Sequence, residues 1–212
     1  MKPVTLLAPI LALCCAIGST SVSAQPAAVQ PGFDCTRANA PIEKTICADK
    51  TLAMLDREMT RVLTLAREDA SISQPNILKD QDTWLKQRNE CMSSTDQERC
   101  LVESYVRRIS ALRSDSSAVR KSKGGMSLGP FSAACDGGIS LTLVFVNSTP
   151  SYVYVAGRKD TLVLKQALSG SGARYEAQYP KGQARLWNKG NAVQVALPGD
   201  KDMSCRLSPV AN

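Results

Sequence analysis

Apolar residues recur at helical spacing in the first half of this chain and at every second position in the second half. Leu52, Leu55, Met59, Val62 and Ala66 fall at steps of three and four, which gives a helix one apolar face. Leu101, Tyr105, Ile109 and Leu112 repeat that period, and Trp84 with Leu85 marks a middle helix. Gln74-Pro75-Asn76 reads as the break between the first and second helices, and Ser93-Ser94-Thr95-Asp96 as the break between the second and third. About three helices of this length form a small bundle. Further on, Ile139, Leu141, Leu143 and Phe145 alternate with Ser140, Thr142 and Val144, the pattern of a half-buried strand, and residues 147–150 turn it back. Tyr152 and Tyr154, then Leu162 and Leu164, continue the alternation, and residues 161–166 and 191–197 read as strands. About seven or eight such runs close most economically into a small antiparallel β-barrel, which removes exposed edges. The expected fold class is therefore α+β as separate domains: a helical bundle at residues 33–113 and a barrel at residues 126–212.

Residues 114–125 join them. This Ser/Lys/Gly-rich segment has little to bury and ends in two glycines, so it reads as a mobile or weakly ordered linker. Residues 1–24 have the basic start, apolar run and small-residue end of a secretory signal peptide, with cleavage after Ala24, and residues 25–32 are a short lead. The apolar run is short for a membrane span and nothing later is apolar enough, so a periplasmic chain without stable membrane insertion is expected. Cys14 and Cys15 raise the alternative of a lipoprotein, against which Leu13 stands where a small residue is wanted.

Removal of the leader leaves Cys35, Cys47, Cys91, Cys100, Cys135 and Cys205. An even number in an exported chain points to disulfides. Cys35 with Cys47 and Cys91 with Cys100 each bracket a helix start or a tight loop, and Cys135 with Cys205 would tie the ends of the barrel. The chain has no histidine. That excludes Ser-His and Cys-His nucleophiles and makes a zinc site hard to build, so neither metal nor cofactor is expected. Residues 33–113 carry thirteen basic and thirteen acidic side chains, whereas residues 126–212 carry nine against five. The basic residues of the second half are scattered and aromatics are few, which does not make a nucleic-acid-binding stripe.

Candidate chemistry concentrates in residues 169–190. Ser169-Gly170-Ser171-Gly172-Ala173-Arg174-Tyr175 forms a Gly/Ser loop between strands, and Trp187-Asn188-Lys189-Gly190 a second turn. With Cys135-Asp136-Gly137 before them and Cys205 after, these segments resemble the MliC family of bacterial inhibitors of c-type lysozyme. The resemblance implies a small barrel whose serine-bearing loop fills the lysozyme cleft, with a lysine reaching the catalytic carboxyls. It assigns lysozyme binding to Ser171 and Lys189, with Ser169 and Tyr175 in support. The helical half has its own likeness. Phe33-Asp34-Cys35, the run from Ile42 to Cys47, Leu52 to Asp56, the run from Trp84 to Cys91, and Cys100-Leu101 are similar to the N-terminal domain of the LprI family, also linked to lysozyme inhibition. Trp84 and Leu85 suit a core there, and Glu43 and Lys44 suit the start of a helix.

Such a glycosidase needs one of its two carboxyls protonated. An inserted ammonium favours ionised carboxylates, and a hydroxyl can hydrogen-bond the other group without demanding charge. Serine and lysine can also form a hydrolytic dyad, but no S-x-x-K spacing is present, so an enzyme is not expected. The alternative function is a binding or adhesion module whose barrel loops hold cell-wall glycan.

Overall fold

The computed structural model describes residues 29–157 and 160–210; the signal-peptide reading lies outside them. The expected three long helices are α2 (Lys50–Glu68), α3 (Gln74–Glu90) and α4 (Gln97–Asp115). Two short helices join them, α1 (Pro41–Ala48) and α5 (Ser117–Lys121), making five among the described residues. Local chemistry sets the boundaries. The Asp49 carboxylate accepts the Leu52 N–H at 2.9 Å and so starts α2 as α1 ends. Gln74-Pro75, read as a break, is instead the first turn of α3, where a proline loses no hydrogen bond. Glu43 reaches back to the N–H groups of Asn39 and Ala40 at the start of α1, as its position suggested. Trp84 is core: it is buried, packs edge-on against Tyr105, and donates its indole N–H to the Ser104 carbonyl.

Eight strands close an antiparallel barrel in sequence order: β1 (Ser127–Cys135), β2 (Ile139–Val146), β3 (Tyr152–Gly157), β4 (Asp160–Ala167), β5 (Ala173–Tyr179), β6 (Gly182–Lys189), β7 (Ala192–Ala196) and β8 (Met203–Pro209). Leu141, Leu143, Val153, Val155, Leu164, Tyr175, Leu186, Val193 and Val195 fill its interior. The three disulfides pair as expected, Cys35 with Cys47, Cys91 with Cys100, and Cys135 with Cys205 across the β1–β8 seam.

The joining segment departs from expectation. Helix α4 continues through Asp115, and α5 follows with Val119 fully buried. Asp69 holds this corner by accepting the Ser116 hydroxyl at 2.8 Å and the Ala118 N–H at 3.0 Å. Hydrogen bonds led by the one from the Ala118 N–H hold its carboxyl well below the usual range. Composition suggested a loose tether because Ser116 and Asp69 find each other only in three dimensions.

The two halves also share a core. Val146, Tyr152 and Val163, on the outer face of β2, β3 and β4, belong to the same buried apolar cluster as Leu101, Val106 and Ile109 of α4. Polar contacts frame it. Glu58 of α2, 2% exposed, accepts the Ser127 N–H at 3.0 Å and the Ser127 hydroxyl at 2.6 Å, and is forked by Arg61. Arg113 donates to the Gly129 carbonyl and to Ser127, and Arg107 to the Thr161 carbonyl. Thr51 at the start of α2 donates to the Thr149 carbonyl in the β2–β3 loop. The bundle is therefore fixed on the β1–β4 flank of the barrel.

Candidate functional site

Strand register decides where the two candidate segments lie. In β5 and β6, Ala173 faces Asn188 and Arg174 faces Trp187, so the loop before β5 and the turn after β6 emerge side by side at one end of the barrel. A hydrogen bond joins them: the Trp187 indole N–H donates to the Ser171 carbonyl at 2.8 Å. The Ser169 hydroxyl donates to that same carbonyl, also at 2.8 Å. Gly172 completes the link at φ +67°, and a Cβ there would stand 2.5 Å from the Asn188 carbonyl oxygen. Only glycine lets the loop lie so close on the turn.

The turn is held in the same manner. Lys189 ends β6 opposite Ala192, Gly190 takes φ +61°, and the Asn188 amide donates to the Gly190 carbonyl at 2.8 Å. Lys189 is exposed, and its ammonium makes no ion pair or hydrogen bond among the described residues. The Ser171 hydroxyl is likewise exposed and unbonded among them. Two uncommitted polar groups thus project from a pre-ordered base. Ser169 differs, because its hydroxyl is already used to shape the loop.

Tyr175, assigned a supporting part in lysozyme binding, is not at the surface. It is 4% exposed and points into the barrel, its ring centroid 5.9 Å from that of Phe145. Burial raises its phenol pKa. It supports the loop from within the barrel, two residues along β5 from Ala173. Arg174 is exposed and pairs with Glu176 on the neighbouring rung of β5.

Leu168 was passed over. It opens the loop and is 98% exposed. Alternation from Leu162 and Leu164 would send it inward, but β4 ends at Ala167. An apolar residue just ahead of a Gly/Ser run was the available signal.

Comparison with known proteins finds two similarities. Residues 134–204 match the MliC family, described as membrane-bound lysozyme-inhibitor of c-type lysozyme. The matched segment takes in both loops and Cys135, and stops one residue before Cys205. Over most of its length the chain is also similar to the lipoproteins LprI of Mycobacterium tuberculosis, strains CDC 1551 and H37Rv, and of Mycobacterium bovis. Each is 27% identical over 201 residues, covering 92% of this chain and 92% of its own length. That similarity spans the helical half as well as the MliC segment. No solved structure matches. Among the described residues no helix is long and apolar enough to cross a membrane, and no cluster of His, Cys, Asp or Glu is arranged to hold a metal.

Proposed function

We propose that this chain is an exported, periplasmic inhibitor of c-type lysozyme that fills the catalytic cleft with residues 168–172 and Lys189. The observation that carries the reading is the Trp187 to Ser171 hydrogen bond, which ties the Ser171 loop to the strand that ends in Lys189, so that an ammonium and a hydroxyl, each without a partner among the described residues, emerge at the same end of the barrel. Preorganisation of this kind lowers the ordering cost of binding. In the cleft, the Lys189 ammonium keeps the enzyme's carboxyls ionised and deprives it of its acid. Ser171 bonds the second carboxyl, and Leu168 covers apolar wall beside it.

The match to the MliC family over residues 134–204 and the similarity to LprI lipoproteins support the same partner. An inhibitor of this design performs no chemistry of its own. The test is titration of c-type lysozyme with the full chain, measuring hydrolysis of a soluble oligosaccharide. Stoichiometric loss of turnover is expected, with Lys189→Ala much the weaker inhibitor. Full turnover at saturating protein overturns the reading.

A further inference from the structure

The barrel wall away from the helices carries a second feature, a groove of about 500 Å³ across β5, β6, β7 and β8. Arg174, Trp187, Gln194 and Ser204 are successive cross-strand neighbours and form one rung. Arg185 lies on the next rung, opposite Glu176, and Asp202 closes the lower rim. At four strands the rung spans about 14 Å, taking roughly 4.8 Å between neighbours.

Most of its polar side chains are uncommitted among the described residues. Arg174 is engaged by Glu176, but Arg185, Asp202, the Gln194 amide and the Ser204 hydroxyl have no hydrogen bond or ion pair among the described residues. Trp187 is half-buried, and its indole N–H is already tied to Ser171. What remains for a ligand is apolar ring, framed by a guanidinium, an amide, a hydroxyl and a carboxylate. Sites for small ligands have this composition, an apolar platform with a few convergent polar groups.

We propose that this groove binds a carboxylate-bearing saccharide, one strand of acidic cell-wall glycan. A half-buried indole matches the C–H face of a pyranose. Gln194, Ser204 and Asp202 offer the mixed donors and acceptors that sugar hydroxyls require. The Arg185 guanidinium presents a fork for a carboxylate substituent. Asp202 disfavours a polyphosphate, and a single ring across four strands is not a platform for successive nucleobases. The groove reaches up to Ser169, so glycan held here would lie next to the loop assigned to the enzyme. Such an inhibitor would wait on those stretches of the polymer that lysozyme cuts whose lactyl carboxylates carry no peptide.

The experiment is an NMR titration of the full chain, following the Trp187 indole N–H, with the disaccharide of N-acetylglucosamine and N-acetylmuramic acid. Chitobiose, which lacks the carboxylate, is the control. The acidic disaccharide should shift the indole resonance and bind at least about tenfold more tightly than chitobiose, the increment of a charge-assisted bond. Arg185→Gln should reduce its binding to the chitobiose level, while Lys189→Ala should leave it unchanged. Equal binding of the two sugars, no shift at millimolar sugar, or unaltered binding by Arg185→Gln each overturns the proposal. Should Arg185→Gln instead weaken lysozyme inhibition with no change in sugar binding, the groove belongs to the enzyme contact and the proposal falls. The lysozyme reading rests on Lys189 and is judged by turnover, so the two fail separately.

Discussion

The two flanks of the barrel have the same strand geometry and opposite surfaces. Along β2 the run Leu143-Val144-Phe145-Val146 is buried throughout, Leu143 and Phe145 inside the barrel and Val146 against the helical bundle. Along β6 the pattern is strict: Ala184 and Leu186 point in, and Arg185 and Trp187 line the outer groove. A strand covered on both faces reads as a continuous apolar run, and one facing water alternates. The barrel thus has a fixed side, which holds the helices, and a free side, which carries both signature loops and the groove.

Removing the cover should have the largest effect. A fragment of residues 126–212 exposes Val146, Tyr152 and Val163, and burial of each such valine contributes about 1.5–3 kcal/mol. The fragment should melt well below the full chain and self-associate on size exclusion. A monomeric fragment with the full chain's melting temperature would show that the helices merely rest on the barrel.

Glu58→Ala attacks the same flank at one point. It leaves Ser127 and Arg61 without their acceptor, and breaking a buried pair costs about 3–5 kcal/mol. The low end is expected because Arg61 is 29% exposed. Burial raises the Glu58 pKa, but hydrogen bonds from Arg61, Ser127 and the backbone outweigh it and leave the net value lowered. Its contribution is therefore full above the unfolded glutamate pKa of about 4.3 and is lost as pH falls through the depressed folded value. Melting temperatures recorded against pH should fall on that acid side, and less steeply in Glu58→Gln.

On the free flank, effects should appear in binding and not in stability. If the Lys189 ammonium is desolvated against the enzyme's carboxyls, Lys189→Ala should weaken inhibition by about 2–5 kcal/mol with no change in melting temperature. Ser171→Ala removes an uncommitted hydroxyl and should cost about 1.5–3 kcal/mol, measured by titration calorimetry. Arg174→Ala removes an exposed ion pair and should cost under about 1 kcal/mol. A larger loss for Arg174→Ala than for Lys189→Ala would move the contact from the loops to the wall.

The class of each half, the two disulfides of the helical half and the two loops were legible in the chain because they depend on local patterns, whereas the Cys135–Cys205 bond, 70 residues apart, followed from the expected closure of the barrel. A period of three to four residues, a period of two, and cysteines bracketing short turns need no knowledge of distant neighbours. The Gly/Ser run and the Trp-Asn-Lys-Gly turn were equally readable as strand ends. Even the continuous apolar run in β2 is present in the sequence, where Val144 falls on the outward positions of the alternation. Tertiary structure alone decided the remainder. Tyr175 became a core residue because the pleat of β5 turns it inward beside Phe145. Residues 116–121 became a cap and helix because Asp69, more than forty positions earlier, reaches Ser116 and Ala118. The groove exists because four strands close in one register and place Arg174, Trp187, Gln194 and Ser204 side by side. Pairing between strands is a long-range choice made by the whole barrel at once, so the sequence determines each strand's two faces, and only closure determines which faces meet.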